Sequence, residues 1–187
     1  LPVHKPSEVG AAYLPDELGE LGRASRGQPE PTYNLLDPDE IAEIVELYAA
    51  AAARGREAGI DAVEIHGGHG YLLSSFLSPA TNRRSDAYGG ALKNRARFLL
   101  EVIRAVRARV GDDYPVWCKI DSEEFYQDEG ITLDDARQTA IWAEDAGADA
   151  IGVSAYYDGS RAAAHFSAHT PAHPELLVQN AHAIKAA

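Results

Sequence analysis

The feature that most constrains the fold is a threefold alternation of helix-type and strand-type sequence. Asp37 and Glu40 form a capping box, and apolar residues then recur at helical spacing until the chain reaches Gly59. The short apolar run DAVEIH follows at once. The order repeats with a helix that stops at Gly111 before PVWCKI, and with a helix that Thr132 begins before DAIGVS. Three helix-strand units are therefore predicted.

Such alternation predicts a parallel sheet covered by helices, with strands centred near residues 64, 118 and 152, and places the chain in the α/β class. A doubly wound sheet and a (β/α)8 barrel are both built in this way, and three strands do not distinguish them. A complete barrel needs about 250 residues, so a barrel would be present only in part. Residues 1–36 are rich in Gly, Pro and charge and are predicted to be loop, which leaves 37–187 for the α/β domain.

Composition restricts the class of partner. The chain has 187 residues, 45% of them hydrophobic, and a formal net charge of -12, which argues against nucleic acid or an anionic membrane and favours a small molecule. Neither a membrane span nor a signal peptide is predicted, so we expect a cytoplasmic location. The single cysteine, Cys118, excludes an internal disulfide and an iron-sulfur cluster. Because Met is absent, even at position 1, we expect the sequence to begin inside a longer chain.

One face of the predicted sheet carries ionisable groups. Strand alternation puts Glu64 and His66 on the face opposite Ile65, and Lys119 on the face opposite Cys118. Charged groups inside a parallel sheet are costly unless they pair with each other or with a ligand. Two interpretations stay open, a structural ion pair and a ligand site. For Glu64 the two are equally good, and for Lys119 we favour the ligand site.

The loop after the first strand brings two imidazoles and a phenol together within six residues. In HGGHGYLL, His66, His69 and Tyr71 stand among glycines, which let a ligand approach the backbone closely. A stacked planar ligand fits this arrangement. The H-x-x-H spacing also occurs in metal sites, but no further ligand pattern follows, and we predict no metal. The spacing alone does not exclude histidines that are ordinary loop or core residues.

Longer motifs in this region resemble those of a known protein family. From Ala58 to Gly111 the chain contains V-E-I-H, H-G-Y-L, F-L-S-P, the loop N-x-R-x-D-x-Y-G-G at Asn82 to Gly90, and N-R-x-R-F at the start of the second helix. This segment resembles the centre of the Old Yellow Enzyme and 2,4-dienoyl-CoA reductase family, and VWCKIDSEEF and AEDAGADAIGVSA continue it more weakly.

The resemblance implies part of an FMN-binding (β/α)8 TIM barrel, in which DAVEIH, PVWCKI and DAIGVS are strands 4 to 6. It implies an FMN-dependent NAD(P)H oxidoreductase of the ene-reductase type, with NADH or NADPH as reductant and a small substrate that carries an activated double bond. The full-length protein could also form a homo-oligomer. The physiological substrate and the preference between NADH and NADPH are not implied.

The same resemblance assigns roles to single residues. His66 and His69 would donate hydrogen bonds to the substrate carbonyl oxygen, and Tyr71 would protonate the α carbon while FMN N5 delivers hydride to the β carbon. Lys119 would lie beside the pyrimidine side of the flavin, with His66 also at the cofactor. The Asn82 to Tyr88 group is expected to hold its loop in place.

The sequence also departs from the family. It lacks the family's early flavin-contacting residues and its late phosphate loop, and three histidines near the C-terminus have no assigned role: His165, His169 and His173. Two alternatives therefore remain, an inactive half barrel of such an enzyme, and a barrel enzyme that uses no flavin. The second would need a nucleophile or a metal-carboxylate set, and none is evident in the sequence.

Overall fold

A computed structural model describes residues 3–5, 33–125, 129–157 and 175–187. His165, His169 and His173 lie outside these residues. In chain order the elements are β1 (Val3–Lys5), β2 (Tyr33–Leu35), α1 (Pro38–Glu57), β3 (Val63–Gly67), α2 (Leu72–Leu77), α3 (Leu92–Arg95), α4 (Arg97–Val110), β4 (Val116–Phe125), α5 (Leu133–Asp145), β5 (Ala150–Tyr157) and α6 (Glu175–Lys185).

The predicted alternation is confirmed by a parallel sheet in the order β3-β4-β5. Val63 pairs with Val116, and Trp117 pairs with Ala150, so all three strands run side by side in one direction. The buried face presents Ile65, Cys118 and Ile120 to the helices, all at most 4% exposed. On the opposite face, Trp117 is 48% exposed and no described helix covers it. Helices on one side of a parallel sheet are typical of a barrel wall rather than of a doubly wound sheet.

Capping chemistry fixes the helix ends that the sequence predicted. The Asp37 side chain accepts from the Glu40 amide at 2.8 Å, and the Glu40 carboxylate accepts from the Asp37 amide at 2.8 Å, which completes the capping box of α1. Thr132 and Asp135 form the equivalent box at the start of α5. Gly111 follows α4 with φ 81°, a conformation that favours glycine.

The core lies between the sheet and helices α4 and α5, and α1 packs against α4. One face of α4 is fully buried and consists of Phe98, Leu99, Val102, Ile103, Val106 and Val110. Phe76 from α2 meets Phe98 edge to face, with ring centroids 4.8 Å apart. The short helix α2 is thereby anchored in the core, and its first residue follows the loop that carries Tyr71.

The long loop between α2 and α3 is held by side chains, as the sequence predicted. The side-chain amide of Asn82 donates to the carbonyl oxygens of Phe76 and Tyr88, both at 2.7 Å. Arg84 pairs with Asp86 at 2.5 Å and donates to the Leu36 carbonyl at 2.8 Å. These bonds satisfy backbone groups of the loop, which gives this group a structural role.

Several elements differ from the sequence prediction. Within residues 1–36, the strands β1 and β2 pair in parallel where only loop was predicted, because three-residue strands are too short to show alternation. The strand β4 extends well beyond PVWCKI, with a register irregularity between Asp121 and Glu124. The helices α2, α3 and α6 were not predicted as separate elements. The boundary at 36/37 stays a prediction.

A buried carboxyl fastens the far end of β4. Glu124 is 9% exposed, and its Oε2 accepts from the Ser78 hydroxyl at 2.5 Å and from the Ile131 amide at 2.8 Å. Burial raises the pKa of Glu124, and Asp121 adds to the rise, whereas the two hydrogen bonds and nearby Arg95 oppose it. The ionised form of Glu124 is therefore less favourable in the folded chain than in the unfolded one.

This sign gives a prediction about pH. Because the folded pKa lies above the usual value of 4.5, ionisation of Glu124 lowers stability as pH rises from that value through the folded pKa. Glu124→Gln keeps an acceptor oxygen for Ser78 and Ile131 but does not ionise. We expect its free energy of unfolding, relative to the unsubstituted protein, to improve between pH 4 and pH 8 in urea titrations. Glu43→Gln on the exposed side of α1 is the control, and an equal trend in both variants would contradict the prediction.

Candidate functional site

The polar face of the sheet is built from matched positions on neighbouring strands. Glu64 pairs in register with Trp117, and His66 pairs with Lys119, which in turn pairs with Gly152. The side chains of Glu64, His66 and Lys119 lie on the face away from the helices, as strand alternation predicted. The ionisable groups thus form two layers on one face, one layer with Glu64 and the next with His66 and Lys119.

Glu64 and Lys119 form an ion pair across these two layers. Lys119 Nζ lies 2.8 Å from Glu64 Oε2, and the side chains are 32% and 36% exposed. At this exposure solvent screens much of the attraction, so the pair sets geometry more than stability. Gly152 makes room for it, because a Cβ there would lie 2.9 Å from Glu64 Oε1. The structure therefore shows the ion pair that was one of the two readings of Glu64.

Three ring side chains gather at the carboxyl end of β3. The His66 ring lies 5.0 Å from that of His69 and 5.2 Å from that of Tyr71, measured between centroids. His66 Nδ1 is buried and has no hydrogen-bond partner among the described residues. Tyr71 is 63% exposed, so its side chain is accessible to solvent. The structure brings together His66, His69 and Tyr71, with Lys119 beside His66 in register.

The loop that carries these rings has an unusual backbone. His69 has φ 60° and Gly70 has φ 67°, both in the left-handed region. This conformation is open to glycine and costs other residues about 1–2 kcal/mol. Gly70 is also pressed against a neighbour, because a Cβ there would lie 2.7 Å from Cζ of Tyr156 on β5. Two successive left-handed residues turn the chain so that His69 and Tyr71 both approach His66.

Asp121 is a part of this site that the sequence interpretation missed. It is 1% exposed and lies one layer beyond Lys119 on the same face of β4. Its Oδ2 accepts from the His69 amide at 2.6 Å and from the Ser74 hydroxyl at 3.1 Å, and its Oδ1 lies 2.8 Å from the Ser154 hydroxyl. Its place directly after PVWCKI, where a parallel strand was expected to end, was a signal that could have identified it.

The remaining chemistry near the sheet is limited. Burial, together with the charge of Glu64, raises the pKa of Cys118 to about 12, so this thiol stays protonated and is a core residue rather than a nucleophile. Among residues 33–125 and the other described segments, no group of three His, Cys, Asp or Glu side chains is arranged to hold a metal ion. None of the helices in these segments combines the length and the apolar character that a membrane span requires.

Fold and site together define an α/β barrel segment with a polar face at the carboxyl ends of its strands. The sequence model of the NADH:flavin oxidoreductase / NADH oxidase family matches residues 6–184, and the chain belongs to this family. The predicted resemblance to flavin-dependent oxidoreductases is thereby confirmed.

Curated relatives agree with this assignment. An NADH oxidase of Thermoanaerobacter brockii is 44% identical over 120 residues, which make up 64% of this chain and 18% of the relative. An NADPH dehydrogenase of Clostridium acetobutylicum is 47% identical over 97 residues, or 52% of this chain and 29% of the relative. The chain spans far less than two thirds of each of these relatives.

Solved structures show the same fold. A 2-naphthoyl-CoA reductase bound to 2-naphthoyl-CoA superposes with a TM-score of 0.71 at 32% identity, covering 84% of this chain and 23% of that one. Morphinone reductase in complex with tetrahydroNAD superposes with a TM-score of 0.56 at 37% identity, covering 68% of this chain and 35% of that one. The fold is therefore α/β and corresponds to part of the family's barrel, as predicted.

A pair of glycine substitutions tests how the loop is shaped. Gly59 and Gly70 both have positive φ, but a Cβ at Gly59 meets nothing within 4 Å, whereas one at Gly70 meets the Tyr156 ring. Gly59→Ala should cost about 1 kcal/mol of unfolding free energy in urea titrations. Gly70→Ala should cost about 1–3 kcal/mol more, because the ring must move.

A double-mutant cycle identifies the source of the extra cost. In a Tyr156→Ala background, Gly70→Ala should cost no more than Gly59→Ala, because the clashing ring is gone. If the extra cost of Gly70→Ala is absent in the unsubstituted protein, or persists without the Tyr156 ring, the account of this loop is wrong.

Proposed function

We propose that this chain forms the carbonyl-binding and proton-donating side of the active site of an FMN-dependent NAD(P)H oxidoreductase that reduces activated carbon-carbon double bonds. The observation that carries the proposal is the cluster of His66, His69 and Tyr71 at the carboxyl end of β3, beside Lys119 on β4. Ligands of parallel α/β folds bind at this end of the strands.

The residues present are compatible with FMN on the polar face of the sheet. Lys119 carries three N–H donors, of which the ion pair with Glu64 uses one, so the ammonium can also donate to a carbonyl oxygen of the isoalloxazine ring. His66 Nδ1 is a buried polar atom that has no described protein partner, and a ligand is one way to satisfy it. Lys119 and His66 would thus hold the cofactor. When bound, FMN supplies the hydride that the reduction of a double bond requires.

His66 and His69 are proposed to bind the substrate carbonyl. Their rings lie 5.0 Å apart at a near-perpendicular 81°, so hydrogen bonds from two directions can converge on one oxygen. Such donors favour the negative charge that develops on this oxygen as the double bond is reduced. Binding the carbonyl therefore also lowers the barrier to reduction.

Tyr71 is proposed to donate the proton that completes the reduction. Its ring lies 5.2 Å from that of His66, close enough to face the α carbon of a carbonyl compound held by the histidines. A tyrosine phenol ordinarily keeps its proton at neutral pH and can act as a general acid. The backbone of Tyr71 is held where α2 begins, because its carbonyl accepts from the Ser75 amide at 2.8 Å.

The relatives support the reductant and the class of substrate. Several are NADPH dehydrogenases, and the morphinone reductase structure contains a tetrahydro form of NAD. The 2-naphthoyl-CoA reductase binds a conjugated acyl thioester. A substrate of this chain would share the essential element, a double bond conjugated to a carbonyl group.

Removal of the Tyr71 hydroxyl should separate the two half-reactions. In the FMN-loaded protein, Tyr71→Phe should slow the oxidation of reduced flavin by 2-cyclohexen-1-one by roughly 100-fold or more, because the general acid is lost. Reduction of the flavin by NADPH or NADH should keep its rate, since no proton from Tyr71 is needed there. Stopped-flow absorbance of the flavin measures both steps.

The matched control is Tyr48→Phe, which removes a phenol from α1 on the other side of the sheet and should change neither rate. Equal slowing of both half-reactions by Tyr71→Phe, or no slowing of the enone step, would contradict the proposed role. Absence of any bound flavin that NADPH or NADH can reduce would contradict the proposed function as a whole.

A further inference from the structure

Asp121 is a nearly inaccessible carboxylate that the proposed chemistry does not use. It is 1% exposed and stands on the ligand side of the sheet, next in the row after Trp117 and Lys119. A buried carboxylate is costly unless hydrogen bonds compensate its charge. The donors that compensate it come from three different parts of the chain.

One of these donors is the backbone of a proposed substrate-binding residue. The His69 amide donates to Asp121 Oδ2 at 2.6 Å, a short distance that fits a charge-assisted hydrogen bond. His69 is the one residue other than glycine with positive φ in the described part of the chain. Its left-handed conformation is intrinsically unfavourable, so the bond to Asp121 offsets the cost of holding it.

The other two contacts fix Asp121 itself. The Ser74 hydroxyl of α2 donates to Oδ2 at 3.1 Å, and the Ser154 hydroxyl of β5 lies 2.8 Å from Oδ1. Gly68 packs on the same carboxylate, because a Cβ there would lie 3.0 Å from Oδ1. Both carboxylate oxygens of Asp121 therefore have a hydroxyl within hydrogen-bond distance. Its position relative to His69 is fixed by β4, α2 and β5.

We propose that Asp121 is a positioning residue, which locks the backbone of His69 in the left-handed conformation and so directs the His69 side chain toward His66. The effect on substrate binding rests on the proposed function, whereas the effect on the His69 backbone does not. Asp121 contacts no substrate in this account and acts only through His69.

Two substitutions at this position separate charge from hydrogen bonding. Asp121→Ala removes every acceptor, whereas Asp121→Asn keeps one oxygen for the His69 amide and presents an amide to Ser154, which can accept from it. Ser122→Ala is the matched control. Ser122 is equally buried on β4, but its hydroxyl bonds to the Ser154 carbonyl and to Asn180, on the helix side of the sheet.

The first measurement needs neither flavin nor substrate. In NMR spectra of the protein, the His69 amide proton should resonate far downfield, and its backbone shifts should report positive φ. Asp121→Ala should abolish both signatures, Asp121→Asn should keep the positive φ with a weaker downfield shift, and Ser122→Ala should keep both. An unchanged His69 backbone in Asp121→Ala would overturn the proposal. If that variant does not fold, an unchanged amide shift in Asp121→Asn would do so.

The second measurement uses the FMN-loaded protein. Asp121→Ala should raise KM for 2-cyclohexen-1-one about 10-fold or more, by analogy with the loss of one charged hydrogen bond, and leave flavin reduction by NADPH unchanged. Asp121→Asn should recover most of this loss. An equal rise in Ser122→Ala would overturn the positioning role. If Asp121→Ala displaces the His69 backbone but the unsubstituted protein reduces no enone, the positioning role is supported and the proposed function is contradicted.

Discussion

The structure depends first on the parallel register of β3, β4 and β5. This register places His66 opposite Lys119 and Lys119 opposite Gly152, so residues far apart in sequence meet on one face. A shift of one residue would turn these side chains into the core and expose Ile65 and Cys118. The buried face prevents the shift, because its apolar side chains pack against α4 and α5. The register that buries the hydrophobic core is therefore the same register that assembles the polar face.

The short loop after β3 is the second feature on which the structure depends. Its left-handed residues, His69 and Gly70, bring three rings together, and the buried carboxylate of Asp121 accepts a hydrogen bond from the His69 amide of the loop. The Tyr156 ring packs against Gly70 of the same loop. Loop and strands thus act as one unit, in which rigid strands carry Lys119 and Asp121 while the loop carries the groups proposed to touch the substrate.

Much of this could be predicted from the sequence, because local rules decide it. The capping box at Asp37, the strand alternation around Ile65 and the shared face of Glu64, His66 and Lys119 follow from patterns a few residues long. The bond from His69 to Asp121 could not be predicted, because it joins residues 52 positions apart. The three-residue strand at Tyr33–Leu35 also gave no periodic signal. Contacts between distant segments, rather than propensity, decide these features.

The face bearing His66 and Lys119 is proposed to bind the flavin ring, and the other assigned roles depend on this binding. The most direct measurement is an NMR titration of the protein with FMN, which detects weak as well as tight binding. We expect the largest chemical-shift changes at His66, Lys119 and Gly152 and no change in the shifts of α1. We also expect Lys119→Ala to weaken FMN binding. Changes confined to another surface, or none at millimolar FMN, would contradict this proposal.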